Sequence, residues 1–369
     1  MGHAWIDGRP VALHAALSEA ARLLEACRAP VVAGLGADIA GARAAIALAQ
    51  RLGAVIDHMH SDVVLRDIEV MRAAGMMLTT PNVARVHADL LFLVGPCAMD
   101  IWPDLPERLL APPAALPNEQ VSARRVIRLC PGPRAASPPF EKAEVIGRSA
   151  ADLPVLLAAL RARVAGRPVG KTIVSAKTLD AFAGELRAAR FGVALWSAAE
   201  LDELSIEMLC GLVDDLNANT RFTGLPLAAS DNALGVLAVC GWMTGFPMRI
   251  GFARGHPEHD PWRFDAMRLV ENDETDGVLW ISAYRAAAPP WKRRVPLIAL
   301  AAAGTSFGEP PRVHIEVGRP GTDHDAVEHC RLSGTLVPRV ATAPSTTISV
   351  TDAIAHITMA LGSAGELLC

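Results

Sequence analysis

One alternation runs through the chain twice, and it limits the fold more than any other feature. "PVVAGLG" (30–36) is an uncharged seven-residue run and reads as a buried strand. Asp38 stands where a cap belongs, ahead of the helical pattern "IAGARAAIALAQRLG", and "AVIDHM" (54–59) is the next strand. Three more apolar runs follow: "DLLFLVG" (89–95), "RRVIRLC" (124–130) and "KAEVIG" (142–147). The second half repeats this plan. "FGVALW" (191–196) is a strand, Ser197-Ala-Ala-Glu200 is a capping box opening the helix "ELDELSIEMLCGLVDDLNAN", and "FTGLPL" takes the place of "AVIDHM". "DGVLWIS" (276–282), "VPLIALA" (295–301) and "RVHIEVG" (312–318) then match the three later strands. Short apolar strands separated by helices require mostly parallel sheets built from β-α-β units.

The expected architecture is therefore α/β, with two related Rossmann-like domains. The first spans 1–165 and includes an N-terminal helix with Leu13, Leu17, Ala20, Ala21 and Leu24 on one face. The second spans 166–335, and 336–369 forms a C-terminal segment packing back on the body. The linker is expected within "LRARVAGRPVGKTI" (160–173), where Gly and Pro break the periodicity. A length of 369 residues suits two cores.

Composition excludes several function classes. Hydrophobic residues are 51% of the chain and charged ones 20%, yet no apolar run approaches the ~20 residues of a membrane span. Burial against other subunits is the expected outlet for this excess. Net charge is −4 without a cationic stripe, and aromatics are 5%, which argues against a nucleic-acid partner. The start, "MGHAWIDGRP", has no apolar leader core, so a cytoplasmic location is expected. Seven cysteines (27, 97, 130, 210, 240, 330, 369) include no C-x-x-C pair, which argues against an iron–sulfur cluster, a zinc ribbon or a disulfide framework.

Four motifs carry candidate chemistry. "GRPVGKT" (166–172) has three residues between its glycines where a phosphate loop has four, and reads as linker. "GLGADIAG" (34–41) has Ile39 in place of a third glycine, and reads as a tight strand–helix turn. "GFPMRIGFARGHPEHD" (245–260) gathers Arg249, Arg254, His256 and His259, making Arg249 and Arg254 candidate contacts for an anion or a partner. In "DHMHSDVV", residues i and i+2 of a strand point to one face, so His58 and His60 would reach one ion, joined by Asp62 if the strand continued. That arrangement would suit a mononuclear metal hydrolase. "VIDHMH" alone looks like the opening metal motif of amidohydrolase barrels, but a two-fold repeat does not suit eight equivalent β-α units.

Three blocks taken together carry a wider resemblance: "PVVAGLGADIAGARAAIALAQRLGAVIDHMHSDV", "ADLLFLVGPCAMDIWPDLP" and "GVLAVCGWMTGFPMRIGFARGHPEHD". In this order they resemble the B-type subunit of formylmethanofuran dehydrogenase, a molybdopterin oxidoreductase, and its homologue in the formyltransferase/hydrolase complex of methylotrophs. The resemblance covers roughly 10–330 and implies the central two-domain fold of the molybdopterin oxidoreductases. Redox-active relatives carry a cysteine-rich segment for a [4Fe–4S] cluster, two pterin guanine dinucleotides, and a cysteine or selenocysteine ligating tungsten or molybdenum shortly after the "GAVID" strand. Here the carry-over puts that ligand near Val63, which has no lone pair to offer, and Cys27 is the only cysteine before Cys97. The resemblance thus implies a non-catalytic structural subunit with no cofactor and no catalytic residue of its own. Residues His58, His60, Asp62 and Val63 would mark a vestigial active-site region. The implied partners are a formyltransferase subunit, an amidohydrolase-like subunit and a glutamate-synthase-like subunit. That complex passes formyl groups from tetrahydromethanopterin to a methanofuran-type carrier and releases formate. An active molybdopterin-type dehydrogenase subunit is the alternative reading, and a mononuclear metal hydrolase using His58, His60 and Asp62 is another.

Overall fold

The computed structural model describes residues 3–96, 102, 104–110, 124–131, 143–147, 149–227 and 230–365; Cys97 and Cys369 lie outside these. The strands in chain order are β1 (Ala4–Ile6), β2 (Arg9–Pro10), β3 (Pro30–Gly36), β4 (Val55–His58), β5 (Leu90–Val94), β6 (Arg125–Leu129), β7 (Glu144–Ile146), β8 (Phe191–Trp196) and β9 (Arg221–Pro226). They continue as β10 (Ile250–Gly251), β11 (Glu258–His259), β12 (Gly277–Ser282), β13 (Leu297–Ala301), β14 (Val313–Glu316), β15 (Ala326–Cys330) and β16 (Thr335–Arg339).

The chain divides into two compact units. The first comprises Met1–Ser61, Ala229–Cys330 and Thr335–Cys369, and the second Asp62–Ala228 with Arg331–Gly334. This corrects the expected division at 165/166. The segment 165–175, expected to link domains, instead joins the helices Leu153–Val164 and Ala176–Arg187 inside the second unit. Glycine and proline break a helix whether or not a domain ends there, so the break in periodicity carried no boundary information.

The first unit is built on a sheet in the order β11-β10-β4-β3-β12-β13-β14-β1-β2. Its centre, β4-β3-β12-β13-β14, is parallel, while β1, β2, β10 and β11 add antiparallel edges. Taken by chain order, the five central strands run 2-1-3-4-5, the flavodoxin-type arrangement, with the order reversing between β3 and β12. Helix Val350–Gly365 packs on both Leu13–Ala26 and Ile39–Leu52, and Ala233–Thr244 packs on Ile39–Leu52. Asp38 caps its helix as the sequence requires, its Oδ1 accepting from the Gly41 N–H at 2.9 Å. The tight strand–helix turn expected within 34–41 falls at Ala37–Asp38, after the "GLG" run. That run lies within β3 as a bulge against β12, with Gly34 at φ +80 and Leu35 at φ +51. A Cβ on Gly34 would stand 2.5 Å from the Ile281 carbonyl oxygen, so glycine is required there.

The second unit has an all-parallel sheet in the order β7-β6-β5-β8-β9, which by chain order is 3-2-1-4-5, the Rossmann arrangement. The uninterrupted apolar run of β5 is explained by burial on both faces. Leu90, Phe92 and Val94 join one core with Leu156, Leu160 and Leu209, while Leu91 and Leu93 join another with Ala84 and Leu109. The helix after β8 starts five residues later than a Ser197 cap implies, spanning Glu203–Asn217. Its cap is Asp202, which accepts from the Ser205 N–H at 2.7 Å. Ser197 instead closes a local turn by accepting from the Ala199 N–H.

Candidate functional site

The chain leaves the first unit through the end of β4, at the carboxyl edge of the sheet, beside the point where the strand order reverses. Open α/β sheets bind ligands in that location. Asp57, the penultimate residue of β4, is buried. It faces the equally buried Arg249, whose Nε lies 3.4 Å from Asp57 Oδ1 and whose Nη2 lies 2.6 Å from Asp265 Oδ2. Arg249 Nη1 also donates to the Pro261 carbonyl at 2.6 Å, and Asp57 Oδ2 accepts from the Ala266 N–H at 2.9 Å. The structure thus turns Arg249 inward, against the expectation of a surface contact, because one buried carboxylate in an apolar strand needs a charge partner. Desolvation pushes the Asp57 carboxyl up to about 6, although Arg249 opposes this. Arg254 remains at the surface, paired with Glu258 at 3.1 Å.

The two histidines do not share a strand face. β4 ends at His58, and a helix starts at Ser61, whose Oγ accepts from the His58 N–H at 3.1 Å. His58 Nδ1 accepts from the His60 backbone N–H at 3.0 Å, so its ring hydrogen sits on Nε2, which donates to the Asp231 carbonyl at 3.1 Å. Both ring nitrogens of this buried histidine are occupied, leaving no lone pair for a metal. Burial, reinforced by the neighbouring His60, lowers His58 to about 4, so it is neutral across the physiological range.

His60 belongs to a second arrangement centred on Asp231. Oδ2 of Asp231 receives the His60 ring nitrogen Nε2 at 2.9 Å, the Ser230 hydroxyl at 2.8 Å and Arg285 Nε at 2.8 Å. Burial alone would raise the Asp231 carboxyl, but the bonds from His60 and Ser230 and the Arg285 charge hold it at about 2. Asp231 and Asn232 both adopt φ +58, a left-handed conformation that Asp and Asn tolerate best after glycine. Asn232 ties two more segments, donating to the Ala37 carbonyl and accepting from the His329 N–H, each at 2.9 Å. Segments of the first unit that lie far apart in sequence are thereby fastened around one dipeptide.

Asp62 and Val63 do not extend β4. The expected strand continuation is replaced by the first turn of the helix Ser61–Ala74, where Val63 packs against the apolar core of the second unit. Among the described residues, no three His, Cys, Asp or Glu side chains converge to hold a metal ion. The position carried over from the tungsten and molybdenum enzymes thus holds an aliphatic side chain engaged in core packing, which does not fit a metal-bearing pterin. Sequence reasoning missed Ser230, Asp231 and Arg285. The available signal was the triplet Ser230-Asp231-Asn232, three turn- and cap-forming residues ahead of an uncharged helix.

No protein-family model matches the chain. The B-type subunit of the formyltransferase/hydrolase complex (Fhc) of Methylorubrum extorquens is 33% identical over 358 residues, covering 96% of this chain and 95% of that protein. The B-type subunit of the tungsten-containing formylmethanofuran dehydrogenase 2 of Methanocaldococcus jannaschii matches locally, 34% identical over 101 residues and 26% of this chain. Among solved structures, a chain of the formyltransferase/hydrolase complex from Methylorubrum extorquens, crystallised with methylofuran, superposes with a TM-score of 0.87 at 32% identity. That superposition covers 98% of this chain and 99% of the other.

Proposed function

Because the chain belongs to the family of B-type subunits of the formyltransferase/hydrolase complex, we propose that it is a structural subunit of such a complex and does no chemistry itself. In this reading the complex transfers formyl from tetrahydromethanopterin to a methanofuran-type carrier and releases formate, in the cytoplasm. The chain supplies the two-unit scaffold. Its partners are a formyltransferase subunit, an amidohydrolase-like subunit and a glutamate-synthase-like subunit.

The observation that carries the proposal is the chemistry at the inherited site. The relatives' redox centre requires a thiolate or selenolate, and this chain offers Val63 against a core, beside a histidine whose two nitrogens are both engaged. Asp231 Oδ2 is held by bonds from His60, Ser230 and Arg285, the condition of a fastening. Absence of any described helix long and apolar enough to cross a membrane agrees with a complex that is not embedded.

Co-expression of the four subunits followed by purification on this chain tests the proposal. The complex should hydrolyse the formylated carrier and hold neither molybdenum nor tungsten by elemental analysis, whereas the isolated chain should show no turnover of formyl compounds. Oxidation or hydrolysis by the isolated chain, or tungsten or molybdenum in stoichiometric amount, overturns the proposal.

A further inference from the structure

Two successive crossovers in the first unit contain no helix. β12 passes to β13 through 283–296, and β13 passes to β14 through 302–312. Parallel neighbours are usually joined by a helix, and long irregular connections in a compact domain are most often binding loops. Both segments are nonetheless fixed in place. The Ala287 carbonyl accepts from the Trp280 indole at 2.8 Å and from the Ser282 hydroxyl at 2.9 Å, and the Lys292 N–H donates to Glu271 at 3.1 Å. Trp291 packs edge-on against Trp280 and Phe307 edge-on against His314, with ring centres 5.4 and 5.0 Å apart. Pro289, Pro290, Pro296, Pro310 and Pro311 restrict the backbone further. Loops held at this many points have little freedom left to lose on binding a ligand.

Together the two segments line a cleft of about 690 Å³ that lies wholly within the first unit. That is the volume of a small-molecule site. Half-buried Trp291, Val295, Leu297 and Phe307 supply its apolar lining, while the exposed Lys292, Arg293, Arg294, Glu309 and Arg312 stand at its mouth. Four cations thus face one carboxylate, in a chain whose net charge is −4. Lys292-Arg293-Arg294 is also the sequence's only run of three consecutive Lys or Arg residues. Two of the guanidinium groups are steadied by acids that do not line the cleft. Arg293 Nε donates to Asp273 at 2.7 Å and Arg312 Nη1 to Asp7 at 2.7 Å, and each group keeps further N–H donors beyond these bonds. The Lys292 ammonium makes no ion pair among the described residues. Arg294 reaches from one segment to Glu309 on the other. Their side chains are 83% and 58% exposed, so this pair is weak and readily exchanged.

We propose that this cleft binds a small polyanion, an oligophosphate or a polycarboxylate, through Lys292, Arg293, Arg294 and Arg312. Glu309 is the internal carboxylate that such a ligand displaces from Arg294. Guanidinium forks recognise phosphate and carboxylate oxygens alike, and the apolar lining receives the body of the molecule. A nucleic acid would instead need a cationic track longer than one mouth. The site is independent of assembly with other subunits, so its failure would leave the proposed function standing.

The test titrates the purified full chain by calorimetry with tripolyphosphate and, separately, with citrate, at constant ionic strength. One saturable site is expected, and the probe that binds more tightly tells phosphate from carboxylate chemistry. Replacing Lys292→Gln and Arg294→Gln together should weaken that probe about tenfold or more. Glu309→Gln should act in the opposite direction and tighten it about two- to fivefold, because the competing carboxylate is gone. Arg254→Gln removes an exposed arginine that does not line the cleft and should leave affinity within about twofold. All these side chains are exposed, so the variants without probe should melt with wild type. Hydrogen exchange supplies a readout that needs no variant: amides of 291–295 and 307–309 should slow at saturating probe. Absence of saturable binding of either probe, unchanged exchange at these amides, a loss on Arg254→Gln as large as on the double change, or weaker binding after Glu309→Gln would each overturn the proposal.

Discussion

The two units share one scaffold and use it differently. Each has five central parallel strands, and β4-β3-β12-β13-β14 of the first corresponds place by place to β9-β8-β5-β6-β7 of the second. In the first unit the outermost parallel strand ends in Asp57-His58 and runs into Met59-His60, and the unit buries seven polar groups: Asp38, Asp57, His58, Ser61, Asp231, Arg249 and Ser282. In the second, the corresponding strand ends in Leu225-Pro226 and runs into Leu227, and only Arg128, Ser197 and Ser205 are buried polar residues among those described. One copy of the plan kept a polar carboxyl edge and the other filled it with hydrocarbon. A strand's position in an α/β sheet thus offers a place for chemistry without requiring that chemistry be there.

Paired substitutions probe this contrast. Arg249→Ala should leave Asp57 and Asp265 facing one another without their cation, lowering stability by roughly 3–5 kcal/mol in denaturant titration. Arg161→Ala, which removes the part-exposed 2.6 Å pair with Asp215 in the second unit, should cost about 1 kcal/mol or less. Equal losses would erase the distinction between the units. Asp231→Ala removes the shared acceptor of three donors and should cost roughly 3 kcal/mol, with faster hydrogen exchange at 58–60. Its counterpart Asp67→Asn, in the second unit, keeps a carbonyl for the Trp196 indole N–H at 2.9 Å and should lie near ~1 kcal/mol.

Acid sharpens the comparison further. His58 binds its proton near pH 4 when folded but near 6.5 when unfolded, so the unfolded state takes up more protons between these values. The stability supplied by neutral His58 is complete above about 6.5 and is lost as pH falls towards 4. Asp57, raised to about 6, acts in the opposite sense, gaining stability as pH falls through that value. The stability gap between wild type and His58→Gln isolates the first effect and should shrink by roughly 2–3 kcal/mol from pH 7 to pH 4. A constant gap would mean that His58 is not held neutral by burial. A small effect is expected for Val63→Cys, a near-isosteric change at a packed position that should cost under ~1.5 kcal/mol and leave the activity of the assembled complex unchanged.

The strands themselves were legible, because a parallel strand buried on both faces is a continuous apolar run, as in "LLFLV" and "VVAGLG". The correspondence between the halves also held, "AVIDHM" with "FTGLPL" and "DGVLWIS" with "DLLFLVG". Which sheet each strand enters was not legible, because an apolar run carries no mark of the neighbour it will pair with. β12 to β14 complete the sheet begun by β3 and β4, and β8 and β9 complete the one begun by β5 to β7. The histidine pair misled for a local reason. Two-residue periodicity holds only while the strand lasts, and the Ser61 hydroxyl ends it by capturing the His58 N–H. Arg285 gave no signal at all, since a single arginine after a strand is common and its partner Asp231 lies 54 positions away.

The interleaving of the two sheets has a consequence for how the protein is made. Nearly all of the second unit is one uninterrupted stretch, Asp62–Ala228, whereas the first is not whole until the helix Val350–Gly365 has been synthesised. On the ribosome the inserted unit should therefore mature before its host, while β3 and β4 wait with an open sheet edge. Nascent chains arrested soon after residue 228 has cleared the exit tunnel should already protect 62–228 from protease and leave 3–58 digestible. Early protection of both would mean that the host reaches a compact state without half of its sheet.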